Sequence, residues 1–225
     1  MIKARLLANA GLNEYIAAEI QAADGSKEWG GFAEAEIYAS YGETFRAMRV
    51  LKKALPFYAS APIDTIPMGC WKILFPQPYW GSIEQEAAKN GLDPYMVASL
   101  IRQESEFNPG AISSANAFGL MQLLPSVGRS MAKEEGIHHF NEGELLNPET
   151  NIRLGTRYLK QTLDKFDGDV YKRQAQGDHA MLASLEVFFQ IGAQPDGNIR
   201  IQKLPEFRQK FCAGHCAPSS SFLRK

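Results

Sequence analysis

The segment that decides the fold of this chain runs from residue 93 to residue 107 and reads DPYMVASLIRQESEF. Asp93 is a typical helix N-cap, and Pro94 suits the first helical turn, so the pattern predicts a helix that begins here. Apolar side chains then recur at helical spacing, at Val97, Leu100 and Ile101. The Asn-Pro-Gly run at residues 108–110 is expected to end the helix.

Glu104 continues the apolar stripe of this predicted helix, whereas Arg102, Gln103 and Glu106 fall outside it. The pattern therefore predicts that Glu104 lies on the core face. Burial of a carboxylate costs several kcal/mol or forces the group to keep its proton, so a glutamate in this place is expected to have a function.

The composition is that of a globular protein with one substantial domain or two small ones. The chain has 225 residues, of which 45% are hydrophobic and 22% are charged, and its net charge is -1. Neither that charge nor any basic run favours nucleic acid or an anionic membrane as a partner. The odd number of cysteines, three, argues against a disulfide framework. No window is apolar enough for a transmembrane helix, and polar residues from Asn9 onward interrupt the apolar stretch that a signal peptide needs.

Helical patterns dominate, and we expect an all-α fold with no strand before Gly168. Residues 1–60, the N-terminal arm, are rich in helix-forming residues, and Gly25 and the Gly30-Gly31 pair are expected to divide them into helical hairpins. The arm resembles the end of an α-solenoid whose earlier repeats are not in this chain, although an ordinary helical lead-in fits equally well. Residues 61–80, the connector, combine prolines with large aromatic residues and are expected to pack the arm onto a domain at 81–169.

Three sequence blocks in that domain carry a resemblance to a known family. They are IRQESEFNP at 101–109 with Ser113, GLMQ at 119–122, and NPETNIRLGTRYL at 147–159. Together they resemble the catalytic domain of the soluble lytic transglycosylases, in glycoside hydrolase family 23, over roughly residues 76–168. The resemblance implies a goose-type lysozyme-like helical fold preceded by an α-superhelical arm.

The reaction implied by the resemblance is cleavage of the bond between N-acetylmuramic acid and N-acetylglucosamine in peptidoglycan glycan strands, without water and without a cofactor. Glu104 corresponds to the single catalytic acid. An apolar wall formed by residues such as Leu100, Ile101 and Met121 would raise its pKa and keep it protonated for the leaving oxygen. Because cell wall lies outside the inner membrane, the family also implies a cell-envelope or periplasmic location.

A second carboxylate, which ordinary glycosidases need, is not evident. Glu106 is expected to point away from Glu104 around the helix, and Glu149 suits a helix N-terminus. In the family, the N-acetyl group of the substrate stabilises the developing positive charge instead.

The resemblance also assigns substrate-binding residues. Ser113 and Gln122 match positions that contact sugar N-acetyl and peptide groups, although loop hydrogen bonding would explain both as well. Met121 is assigned to the wall of the cleft, and Ser105 is expected to bond back to a helical carbonyl. Asn116 and Phe118 depart from the family pattern, which has glycine and a small residue there, so a differently shaped loop is expected.

No metal site is expected. The His138-His139 pair is interpreted as a solvated helix exit, and the segment from Cys212 to Cys216 lacks a fourth ligand and the spacing of a zinc finger.

After Asp169 the family pattern is lost. Where the family has a helix whose tyrosine reaches the catalytic carboxyl, this chain has Tyr171 in an unrelated context, and residues 170–225 are interpreted as a tail of foreign origin, from a frameshift or a joined read. Three other functions therefore remain open at this point: a non-catalytic peptidoglycan-binding module, a lysozyme-type hydrolase, and a helical scaffold in which Glu104 is merely paired.

Overall fold

The structure is a computed structural model that describes residues 2–23, 26–59 and 61–165. The predictions for Tyr171, for the segment from Cys212 to Cys216 and for the tail at 170–225 concern residues outside these ranges. Within them the chain forms nine α-helices and no strand, which confirms the all-α prediction. The helices are α1 (Ile2–Asn9), α2 (Ile16–Gln21), α3 (Ser26–Ser40), α4 (Thr44–Ala54), α5 (Met68–Leu74), α6 (Trp80–Lys89), α7 (Pro94–Ser105), α8 (Pro125–Glu134) and α9 (Pro148–Lys165).

Helices α1 to α4 form the N-terminal arm around a small apolar core. Its buried members include Ala4, Ile16, Ile20, Ile37 and Ala47. Because small and branched side chains fill the space between helix pairs, the arm is built from helical hairpins, as the sequence indicates.

The prediction that Gly30-Gly31 breaks the arm into pieces is wrong, because α3 runs through both residues. The physical reason is the close approach of α4: a Cβ atom on Gly31 would lie 2.8 Å from the Cβ of Ala54. The glycine is used for helix packing, which outweighs its low helix propensity.

The connector contains a helix of its own, α5, between proline-rich turns. Trp71 and Phe75 are buried, at 1% and 4% exposed, and their ring centroids lie 5.9 Å apart. This aromatic pair packs between the arm and the helices that follow, because α5 contacts α4 and the Phe75 ring lies against a side chain of α7.

Helix α7 is the central helix of the following domain. Every residue from 97 to 102 is buried, so neighbours cover the helix on more than one side. Helices α6 and α9 pack together, and α8 packs on α9. Among the described residues no helix is long and apolar enough to span a membrane.

Candidate functional site

The start of α7 follows the sequence prediction. The carboxylate of Asp93 accepts a hydrogen bond from the backbone N–H of Tyr95 at 2.7 Å, and Pro94 occupies the first turn. The helix ends at Ser105, because Glu106 and Phe107 both adopt left-handed conformations, with φ of 52° and 62°. Glu104 therefore lies in the last helical turn.

Two predictions for this helix need correction. Glu104 is half-buried, not part of the buried face, and Arg102, which was expected outside that face, is only 5% exposed. A single apolar stripe describes a helix that packs on one side, whereas the middle of α7 is enclosed and, like its first turn, its C-terminal end is partly exposed. That end presents Glu104 where a solvent-borne substrate can reach it.

The loop that follows α7 is a compact turn held by its own polar groups. Ser113 accepts the N–H of Ala117 on its side-chain oxygen at 3.1 Å and donates its own N–H to the Ala117 carbonyl at 2.9 Å. Asn116, where the resembling family has glycine, adopts a φ of 59°, a left-handed conformation that asparagine tolerates better than most residues. Phe118 forms isolated antiparallel bridges with Ile112 and Leu123. The substitutions at 116 and 118 are thus accommodated within an ordered turn.

Gln122 closes the same loop from inside. Its side-chain N–H groups donate to the carbonyls of Gly119 at 2.8 Å and Ala111 at 3.2 Å. The alternative of loop hydrogen bonding is therefore observed for the amide nitrogen of Gln122. Its Oε1 atom is not used in these two bonds.

Met121 lies beneath the loop and is 6% exposed. Its sulfur packs against α9, where a Cβ atom on Gly155 would come within 2.4 Å of it and the Thr156 hydroxyl lies at 3.9 Å. This burial does not favour a direct contact between Met121 and a substrate, and the cleft-wall role expected for Met121 from the sequence stays a prediction. Support of the loop from below is the role that the packing favours.

Asn151, which the sequence analysis did not single out, anchors this loop to α9. It is fully buried, and its side-chain oxygen accepts the N–H of Met121 at 2.8 Å. Its side-chain nitrogen donates to the carbonyls of Phe118 at 2.9 Å and Leu145 at 2.8 Å. A polar residue one turn before the apolar Leu154-Gly155 pair was the available signal for this role.

Gly119 is required by that anchor. Its φ of +74° is left-handed, and a Cβ atom would come within 2.1 Å of the Leu145 carbonyl and 2.4 Å of the Asn151 amide nitrogen. The glycine in the GLMQ block therefore lets the loop lie directly on Asn151.

Ser105 joins α7 to the loop, in agreement with the structural role predicted for it. Its hydroxyl lies 2.8 Å from the Leu120 carbonyl and 3.2 Å from the Ile101 carbonyl, and its single proton can be donated to either. Because Ser105 follows Glu104 and Leu120 lies between Gly119 and Met121, this contact places the end of α7 beside the loop. The structure thus brings the catalytic candidate and the GLMQ block together.

The remaining candidates lie apart from this site. Glu106 is in an ion pair with Lys52 of α4, and Glu149 is exposed in the first turn of α9. His138 and His139 are exposed after the end of α8, as expected for a solvated helix exit. No group of three or more residues with metal-binding side chains occurs in the part of the chain that the structure describes.

Comparison with known proteins agrees with this geometry. Residues 81–176 match the family described as "Transglycosylase SLT domain". This part of the chain is therefore similar to the transglycosylase SLT domains. The SLT match covers the loop, α7 and α9, and it leaves most of the predicted tail outside. The boundaries proposed at residues 60, 80 and 169 stay predictions.

Curated relatives match part of the chain. Membrane-bound lytic murein transglycosylase C of Histophilus somni is 38% identical over 92 residues, which is 40% of this chain and 25% of the relative. A putative soluble lytic murein transglycosylase of Haemophilus influenzae is 46% identical over 68 residues, or 30% of this chain and 12% of the relative. The chain thus spans a quarter or less of the length of these two relatives.

Solved structures extend the likeness to the arm. Lytic transglycosylase Slt of Pseudomonas aeruginosa, solved as an inactive glutamate-to-glutamine mutant, is 25% identical with a TM-score of 0.61, over 83% of this chain and 29% of Slt. The 70 kDa soluble lytic transglycosylase of Escherichia coli is 20% identical with a TM-score of 0.57, over 82% of this chain and 28% of that protein, and it supports the fold alone.

Proposed function

We propose that this chain is a peptidoglycan lytic transglycosylase. It cleaves the bond between N-acetylmuramic acid and N-acetylglucosamine without water and leaves 1,6-anhydro-muramic acid ends. The observation that carries the proposal is the placement of Glu104 in the last turn of α7, half-buried and beside the GLMQ loop of an SLT domain.

Glu104 acts first as an acid and then as a base. Its carboxyl donates a proton to the glycosidic oxygen as the bond to the anomeric carbon breaks. The resulting carboxylate then accepts the proton of the muramic acid primary hydroxyl, whose oxygen attacks the same anomeric carbon and closes the anhydro ring. One residue is enough for both proton transfers, because Glu104 is protonated at the end of the reaction as it was at the start.

The helix end suits the first of these roles. A side chain in the last turn lies near unsatisfied carbonyls, at the negative end of the helix dipole, where a neutral carboxyl is favoured over a carboxylate. Partial burial acts in the same direction, because it removes water from the charged form.

One carboxylate is sufficient for this reaction. Two further acidic residues lie in the sequence blocks of the site. Glu106 forms an ion pair with Lys52, and Glu149 is exposed in the first turn of α9. The N-acetyl group of the substrate would stabilise the positive charge that develops at the anomeric carbon. The inactive glutamate-to-glutamine mutant of the Pseudomonas relative supports a mechanism that requires a glutamate carboxyl.

Ser113 and Gln122 would bind the substrate from the loop. The Ser113 oxygen already accepts a backbone N–H, so its hydroxyl proton can be donated to a substrate carbonyl. The Gln122 nitrogen is used within the loop, which leaves Oε1 to accept an acetamido N–H. Met121 holds the loop in place through its contact with α9.

The substrate also suggests where the chain acts. Its relatives are named as membrane-bound or soluble murein transglycosylases, and murein is found in the bacterial cell envelope. We propose a cell-envelope site, in the periplasm, with glycan strands as the partner.

Digestion of purified peptidoglycan tests the proposal. The wild-type chain should release anhydro-muropeptides that mass spectrometry identifies, and Glu104→Gln should release none while still binding the glycan. Ordinary reducing ends would identify a hydrolase instead, and binding without any cleavage by the wild type would identify a binding module.

A further inference from the structure

Glu104 is flanked by two side chains that both bind elements N-terminal to its own domain. Arg102 lies two residues before it and Glu106 two residues after it. Arg102 is buried and its partners belong to the arm and the connector, whereas the partner of Glu106 is Lys52 in the arm. Contacts on both sides of one residue restrict the position of the backbone between them.

The Arg102 contact is specific in geometry. Its Nε donates to the Leu74 carbonyl at 2.9 Å, and one terminal nitrogen donates to the Tyr58 hydroxyl at 2.8 Å. The guanidinium carbon also lies 4.1 Å from the centroid of the Phe75 ring. A planar guanidinium that donates in two directions and stacks on a ring fixes the orientation of the helix that carries it.

The Glu106 contact holds the other side. Lys52, on α4, forms an ion pair with Glu106, and both side chains are about one third exposed or less, at 30% and 27%. Glu106 is the C-cap of α7 and has a left-handed backbone, so the pair holds the chain where it leaves the helix. A hinge motion of the last turn would have to break this pair or the Arg102 contacts.

We propose that Lys52 and Tyr58 of the arm are positioning residues for Glu104. Through Glu106 and Arg102 they hold the last turn of α7 in one place relative to the GLMQ loop. Acid catalysis depends on a proton donor within hydrogen-bond reach of the leaving oxygen, and displacement of about 1 Å can cost about a hundredfold in rate. The arm therefore contributes to the position of Glu104 in the active site. This inference rests on the proposed function.

Kinetics with soluble, uncrosslinked glycan strands test the catalytic consequence. Lys52→Met and Tyr58→Phe should each lower kcat by about fivefold with KM changed by less than about twofold, because binding groups on the loop are untouched. Lys72→Met and Tyr15→Phe are matched controls at exposed positions of α5 and the arm, and they should leave kcat at the wild-type value. The charge exchange Lys52→Glu with Glu106→Lys should recover most of the lost kcat, which a general loss of stability would not allow.

Amide hydrogen exchange tests the positioning itself, independently of activity. In both arm variants the amides of residues 104–106 should exchange about five times faster, while those of α9 keep their wild-type rates. Unchanged exchange at 104–106 would overturn the inference, as would an unchanged kcat in an active protein. If the wild type released no anhydro products but exchange rose as expected, the proposed function would fail and the structural coupling would stand.

Discussion

Replacement of Asn151 by aspartate should uncouple the GLMQ loop from α9 with almost no change in side-chain size. Asparagine donates to the carbonyls of Phe118 and Leu145 and accepts from Met121, and aspartate can keep only the last of these bonds when ionised. Two carbonyls lose their donor, at about 1–3 kcal/mol for each buried group. Because the Phe118 contact is only part-buried, we expect about 3 kcal/mol in total, a fall in Tm of about 6–12 °C.

The pH dependence of this loss gives a sharper test. Asn151 is 0% exposed, so burial and the two facing carbonyls would raise the pKa of an aspartate there above its ordinary value of about 3.9. A raised folded pKa means that the folded state holds its proton more tightly than the unfolded state. The free energy of unfolding of the variant, relative to wild type, should therefore be highest below about pH 4 and fall as the pH rises towards 7.

Asn147→Asp is the matched control, directly before the first residue of the same helix. Asn147 is exposed and accepts the N–H of Thr150 at 3.0 Å, a capping role that aspartate fills equally well. Urea unfolding of both variants at pH 4 and pH 7 provides the measurement. An Asn151→Asp protein as stable as Asn147→Asp at pH 7, or one with the same loss at both pH values, would refute the anchoring role of Asn151.

Three further predictions follow from single contacts. Gly155→Ala should lower the free energy of unfolding by about 1–2 kcal/mol, because the new Cβ displaces the Met121 sulfur. Gly81→Ala, in open space on α6, should raise the free energy of unfolding, and thermal unfolding of both variants measures the difference. The hydrogen bond from Arg153 lowers the pKa of Glu135 from 4.5, so the contribution of this pair to stability is present above about pH 4.5 and is lost as the pH falls through the folded pKa. Acid unfolding of Glu135→Gln should therefore show a flatter pH profile in this range than that of the wild type. Ser113→Ala should raise KM for glycan strands by about three- to tenfold through one lost hydrogen bond, while its exposed neighbour Ser114→Ala should leave KM unchanged.

The parts of the fold that depend on local chemistry could be predicted from the sequence. The N-cap at Asp93 is where the residue type indicates, because its side chain satisfies a backbone N–H two residues further along the chain. The resemblance placed Glu104 and the GLMQ loop in one domain, and the contact from Ser105 to Leu120 brings them together.

The errors concern tertiary packing. Periodicity placed Glu104 on the core face and Arg102 outside it, because the pattern has no information on how many neighbours enclose a helix. The Gly30-Gly31 pair suggested a helix end for the same reason, because local propensity contains no information on the close approach of Ala54 to Gly31. Arg102 finds its partners 28 and 44 residues earlier in the chain, a separation at which single-sequence reasoning gives no signal.

Digestion of peptidoglycan in water enriched in heavy oxygen tests the central claim most directly. If Glu104 serves as acid and then as base to the muramic acid hydroxyl, the released ends are anhydro-muramic acid, they contain no heavy oxygen, and Glu104→Gln yields none of them. Reducing ends that carry the label, or an unchanged yield from Glu104→Gln, would contradict the account.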